Sequence, residues 1–316
     1  MNDPVLSIDI GASKIAAAFV YPDGSVDHRK ETPTEAHNGG ESLMVKVIEL
    51  CRAFLAEPHQ EQDRASSSKI MPVSIGISSA GQIDDANGTV IFATENLPGW
   101  TGMDIKGRME SALGIETFVE NDVNCLALGE ANFGAGKGSR HILFLAVGTG
   151  IGGAIIIDGK LYRGWQGSAG ELGHITIDYQ GNLCNCGARG CIETYASGPA
   201  IERMYNKGRK GEKITGEEIN ALAQAGDEYA LSAITSGGKY LGICLFGLLN
   251  LLNPEMVILG GGVLSANDIY LNAVRQAAAQ NTLGPMKDTP IIRTQLKGNI
   301  ANLVGAAVVS WQRLKS

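Results

Sequence analysis

Apolar positions along this chain fall into two kinds of run. Short blocks at 5–10, 15–20, 73–77, 90–93, 117–120, 142–147, 151–157, 256–259 and 290–294 are bounded by Gly, Pro, Asn or Ser. They read as strands, with a further strand near 25–32. Residues 39–55 instead repeat every three to four positions (Leu43, Val47, Leu50, Phe54) and predict a helix. Further helices are expected at 105–113, 123–132, 217–225, 229–252, 269–280 and 302–314, with Gly114 and Asn253-Pro254 as stops. The polar stretch 57–69, EPHQEQDRASSSK, reads as an exposed loop. Strands alternating with helices predict an α/β architecture.

Two strand pairs resemble each other. LSIDIGASKIAAAFV from Leu6 and LFLAVGTGIGGAIII from Leu143 are both strand, glycine turn, strand, with Gly11 and Gly148 in register. Either they are unrelated hairpins or they are a degenerate internal repeat. A repeat would let two turns hold one polyphosphate between two domains. The first turn, Gly11-Ala12-Ser13-Lys14, offers backbone N–H groups, a hydroxyl and an ammonium to an anion, with Asp9 placed to face a metal on that anion. An ordinary hairpin would need none of these.

The stretch 171–193, ELGHITIDYQGNLCNCGARGCIE, carries the strongest chemistry. His174, Cys184, Cys186 and Cys191 supply four nitrogen and sulfur donors on one loop, the number a structural zinc takes. A disulfide or chance clustering is the plainer alternative. Glu171 and Glu193 bracket the loop, and a stiffened loop is a good way to aim carboxylates at a polyol. Asp122 falls at a strand end and helix start, where a carboxylate is most often an N-cap. Ser78-Ser79-Ala80-Gly81-Gln82 is a small-residue turn suited to close approach by a ligand. Gly260-Gly261-Gly262 follows a strand and is either a backbone surface for a flat ring or a flexible connector.

Composition narrows the partners. With 316 residues and 44% hydrophobic content there is material for two domains. A net charge of −7 gives no electrostatic reason to bind nucleic acid or anionic lipid. No apolar run is expected to span a bilayer, and the first residues carry no secretory pattern. Cys51, Cys125 and Cys244 sit in helical or apolar contexts and read as buried thiols, which suits a reducing cytoplasm.

With these residues in hand, the chain resembles the ROK family, which groups bacterial sugar kinases with sugar-responsive repressors. The match spans nearly all of the sequence. The family's first phosphate motif stands as Asp9-Ile10-Gly11-Ala12-Ser13-Lys14, with Ala12 and Ser13 as departures. Its catalytic pair is similar to Asn121-Asp122, its second phosphate motif to Gly148-Thr149-Gly150, and its sugar motif to Glu171-Leu172-Gly173-His174. The cysteine motif is complete from Cys184 to Glu193, and the nucleotide-side glycines match Gly260, Gly261 and Gly262.

The resemblance implies an actin-like ATPase fold: two ribonuclease-H-like α/β domains around a cleft, with a zinc-bound loop. It places a small domain at 1–120, joined by a C-terminal helix at 302–316, and a large domain at 121–301. It implies a kinase that uses ATP and Mg²⁺ to phosphorylate a sugar's 6-hydroxyl, with Asp122 as base. Gly81, Thr94, Asn96, Asn121, Glu171, His174 and Glu193 would line the sugar pocket, His174 also binding a structural Zn²⁺. Asp9, Gly11, Ser13, Lys14 and the two later glycine groups would hold ATP. A cytoplasmic homodimer that binds neither nucleic acid nor membrane is expected. Repressors of the family carry a helix-turn-helix ahead of the first phosphate motif; only eight residues precede Asp9 and no basic helix stands there. A kinase is therefore expected over a repressor or a sugar-binding protein without activity. Glucose and N-acetylmannosamine lead as substrates, and 79–83 with 93–94 look similar to N-acetylmannosamine kinases.

Overall fold

A computed structural model describes residues 3–57, 70–209, 213–265 and 268–315. Most of the polar loop expected at 57–69 lies outside the described residues. The chain divides into two compact units. The first comprises residues 1–138, 163–168 and 295–316; the second comprises 139–162 and 169–294.

The first unit is built on β1 (Val5–Ile10), β2 (Lys14–Val20), β3 (Val26–Pro33), β4 (Ile75–Ser79) and a fifth strand, Thr117–Asn121. A two-stranded ribbon, β5 (Gln82–Asp84) with β6 (Thr89–Phe92), precedes that fifth strand, β7. The sheet order is β3-β2-β1-β4-β7, antiparallel through β1 and parallel after it. Alternation along β2 assigns its two faces: Ile15, Ala17 and Phe19 enter one core, Ala16, Ala18 and Val20 another. The first core is closed by α1 (Gly40–Ala56) and α2 (Ile105–Leu113). The second is closed by the C-terminal helix, Ile300–Arg313, through Leu303, Val304 and Ala307. That helix also packs on α3 (Asp122–Phe133). The approach is close: a Cβ on Gly305 would lie 1.7 Å from the Cys125 carbonyl.

The second unit repeats the plan. Here β8 (Ile142–Val147), β9 (Ile151–Ile157), β10 (Lys160–Leu161), β11 (Met256–Gly260) and β12 (Ile291–Arg293) order as β10-β9-β8-β11-β12. The same antiparallel-then-parallel pattern holds. The two halves are ribonuclease-H-like, so the strand pairs at Leu6 and Leu143 are one motif used twice. Between β10 and β11 come α4 (Glu193–Ala196), α5 (Gly198–Asn206), α6 (Gly216–Gln224) and α7 (Glu228–Leu252); α8 (Gly262–Ser265) and α9 (Asp268–Asn281) follow β11. Against the expectation that no run could span a bilayer, α7 is long and apolar enough by length and composition. Its apolar side has another use: Ile234, Leu241, Leu245 and Leu249 are buried in this unit's core.

Candidate functional site

In the first unit the chemistry gathers where β1, β4 and β7 end. Asp9 pairs in register with Ser78, whose hydroxyl donates to Asp9 Oδ1 at 2.9 Å. Asn121 turns out to be the N-cap of α3: its Oδ1 accepts from Val123 N and Asn124 N at 2.9 and 3.1 Å. That settles the ambiguity over Asp122, which is the first helical residue and does not serve as the cap. Asp122 Oδ1 accepts from Val123 N at 2.9 Å and from Asn121 Nδ2 at 3.0 Å. Burial pushes the carboxyl up to about 6, against the pull of those donors. Asp9 is likewise pushed up to about 6 by burial, with the Ser78 bond opposing and the charge of Asp122 adding. Two buried carboxyls with raised values, one felt by the other, make this strand end the candidate functional centre of the first unit.

One residue to which the sequence reading gave no role completes this end. Asn302, from the C-terminal helix, donates through Nδ2 to the Asp122 carbonyl at 3.0 Å and to Ser78 Oγ at 3.2 Å. It thus ties β4 to the start of α3. Helical register decides which face of residues 302–314 meets the sheet, and that register was not readable locally.

The first glycine turn differs from expectation in two respects. Gly11 N–H donates to the Lys14 carbonyl at 3.0 Å, so it closes the turn and is not offered to an anion. Lys14 Nζ lies 2.8 Å from Glu31 across the β2–β3 ladder. Ser13 is exposed at the turn. Gly81 also has a local explanation: its φ is +106°, and a Cβ there would sit 2.7 Å from the Phe92 carbonyl. Its own carbonyl accepts from Asn121 Nδ2 at 2.8 Å. The missing side chain therefore leaves no spare room for a ligand. Thr94 and Asn96 are exposed just beyond β6.

In the second unit, His174, Cys184, Cys186 and Cys191 present ligand atoms all within 4.8 Å of one another. His174 Nδ1 lies 3.6 Å from Cys184 Sγ, and Cys186 Sγ lies 3.7 Å from Cys191 Sγ. Bonds of ~2.3 Å to a tetrahedral zinc place sulfurs roughly 3.8 Å apart, so these edges fit the ion. The cysteines are free, which removes the disulfide alternative. Because Nδ1 faces the cluster, the His174 ring turns Nε2 the other way, and the residue is exposed.

Glu193, two residues after Cys191, does something the sequence did not show. Its Oε2 accepts from Ile151 N at 2.8 Å, and a Cβ on Gly150 would lie 2.5 Å from it. The carboxylate thus backs the Gly148-Thr149-Gly150 turn. Glu171 is exposed at the start of a short 3-10 turn, Leu172–His174.

The same glycine turn borders a cleft of about 880 Å³ within the second unit. Gly148, Thr149 and Gly262 share it with the start of α5 (Gly198, Pro199). Ile201, Ile234 and Val263 give it apolar walls; Thr215, Asn220, Glu202 and Glu217 give it polar ones. An apolar slot with a few polar groups, opening on a glycine turn and a helix N-terminus, suits a flat heterocycle attached to phosphates. The sequence reading found the glycines and missed the walls, which come from four separate segments. Ser197-Gly198-Pro199 was the available signal: Ser197 caps α5 and Pro199 stands in its first turn.

A family model described as the ROK family matches residues 5–313. The chain belongs to the ROK family. Among its relatives is a glucokinase of Halalkalibacterium halodurans, 32% identical, with 98% of this chain and 96% of that protein covered. The xylose repressor of Bacillus subtilis is 34% identical over 96% of this chain and 76% of its own. Among solved structures, a ROK glucokinase from Streptomyces griseus in complex with glucose and AMPPNP superposes with a TM-score of 0.77. It is 32% identical and covers 98% of this chain and 99% of that one. Kinases and repressors are thus both among its ROK relatives.

Proposed function

We propose that this ROK protein is an ATP-dependent sugar kinase that phosphorylates the 6-hydroxyl of glucose. The observation that carries the reading is Asp122, held at the first turn of α3 by Asn121 and Val123 through one carboxylate oxygen. A primary alcohol is a poor nucleophile until its proton leaves, and the second oxygen is the group to take it. A carboxyl near pH 6 is ionised at neutrality yet more basic than an ordinary one. In this reading Asn121, Thr94, Asn96, Glu171 and the Nε2 edge of His174 orient sugar hydroxyls, with Gly81 contributing backbone. Glu193 backs the second glycine turn and turns its other oxygen to the sugar. The cleft lined by Gly148, Thr149 and Gly262 takes the nucleotide, and Ser13 is a separate candidate for phosphate binding.

Magnesium would offset phosphate charge, and Asp9 is the hard oxygen donor that would hold it. His174, Cys184, Cys186 and Cys191 would hold a structural zinc, which would stiffen the loop. An ATP-consuming enzyme with buried thiols suits the cytoplasm, where we place it as a homodimer.

The glucokinase relatives support glucose over N-acetylmannosamine, whose case rests on the short likeness at 79–83 and 93–94. The likeness to a xylose repressor supports a second reading, a regulator that binds sugar without turnover. A coupled assay of ADP release over glucose, N-acetylmannosamine, mannose, fructose and allose separates these. We expect ADP release with glucose leading; sugar binding with no ADP above the ATP-only control selects the regulator.

A further inference from the structure

Arg163 belongs to the short segment 163–168, which joins the first unit although both its flanks belong to the second. Its guanidinium donates from Nε to Glu120 Oε2 at 2.8 Å, and Nη2 stands 2.6 Å from the same oxygen. Glu120 is the penultimate residue of β7 and is 2% exposed. Its other oxygen accepts from Asn121 N at 3.0 Å and from Asn124 Nδ2 at 2.9 Å. Every arm of this buried carboxylate is therefore spent on Arg163 or on the residues either side of Asp122. Arg163 Nε also lies 3.2 Å from Asp85 Oδ2, which Arg313 of the C-terminal helix meets as well.

We propose that Arg163 is a positioning residue for the phosphoryl-transfer base: by neutralising and clamping Glu120, it fixes the β7–α3 junction that presents Asp122. The proposal rests on the kinase reading and deepens it. A buried carboxylate that loses its cation is left uncompensated. Here the stranded charge would lie two residues from Asp122, on the amide of the very residue that caps α3. Helix capping, the Asn121 bond to Gly81 and the aim of Asp122 would all loosen together. The other charged or titratable groups facing this junction are Asp9 from β1, the Cys125 thiol from α3 and, beside Asp9, Lys14 from β2. None of them can replace a guanidinium on Glu120.

The test compares Arg163→Met, Arg163→Lys and the double variant Arg163→Met with Glu120→Gln, reading kcat, both KM values and thermal stability. The double variant removes the stranded charge and keeps an acceptor for Asn121 N and Asn124. We expect Arg163→Met to lower kcat at least about tenfold with the sugar KM within about threefold, a loss confined to the transition state. Lysine should recover part of it, and the double variant should recover more than half of the logarithmic loss. The proposal is overturned if Arg163→Met keeps kcat within about twofold, if KM carries the loss, or if the folded double variant is no better than the single. Absence of kinase activity in the unaltered protein would instead count against the kinase reading.

Discussion

Two sheets of one design carry opposite chemistry. In the first, Asp9 and Ser78 stand side by side where β1 and β4 end. At the matching places of the second sheet stand Ala146 and Gly260, also paired in register. The first unit ends its strands in carboxylates; the second strips its strand ends to backbone. A polyphosphate repels carboxylates and is welcomed by bare amides, whereas a metal's water shell and a departing proton need carboxylates. Duplication supplied the frame, and the difference between the copies is what the proposed chemistry requires.

The sharpest way to break this contrast is at Asp122. Asp122→Asn should lower kcat by at least about 10²-fold, the lower end of general-base effects, while glucose binding by calorimetry survives. The same variant should be more stable than its parent above pH 6. The folded carboxyl sits at about 6, above its ordinary 3.8, so the fold favours the neutral form. That contribution is full below about pH 4 and is lost as pH rises through 6. The melting-temperature advantage of the asparagine should therefore be largest at pH 7 to 8 and vanish near pH 4. Retention of more than about a tenth of kcat would remove Asp122 as the base.

A second break concerns the loop that only the second unit has. Cys184→Ala should drop zinc content from about one per chain and lower activity with it, since metal binding and loop order are linked. Metal analysis of chelator-free protein that finds no zinc would dismiss the site. Third, Ala146→Asp would copy the first unit's carboxylate into the second. We expect the KM for ATP to rise about tenfold, the penalty of one like charge beside phosphates, with sugar affinity little changed. An unaltered KM would mean that phosphates do not meet that strand end.

The smallest effect is expected at Gly81. Gly81→Ala should cost about 1–3 kcal/mol of stability through its backbone angle and leave substrate preference alone. A change of sugar preference without a fall in melting temperature would restore Gly81 to the pocket wall.

The parts legible in the sequence were those written locally. Short apolar runs and glycine turns gave both hairpins, and donor spacing gave the zinc loop. Asn121-Asp122 was recognised as a pair, although which of them caps α3 needed the hydrogen bonds. Residues whose role depends on distant register stayed hidden: Asn302 reaches Ser78 across 224 positions, and Arg163 reaches Glu120 across 43. Lys14 shows the same dependence on distant register. Its neighbours in sequence suggested an anion, while its neighbour across the ladder is Glu31.

The C-terminal helix carries a consequence for biosynthesis. It closes one core of the first unit and supplies Asn302 to the Asp122 end, yet it follows every other described element in the chain. On a ribosome, strands β1 to β7 emerge with the Ala16–Ala18 face of their sheet uncovered, and the whole second unit is synthesised before the cover arrives. The second unit, whose strands and helices are all in place by Thr294, is the first to hold its complete set. The order of maturation thus inverts the order of translation: the nucleotide-type cleft is complete before the proposed base is fixed, and a nascent chain that has reached only Thr294 presents the former without the latter.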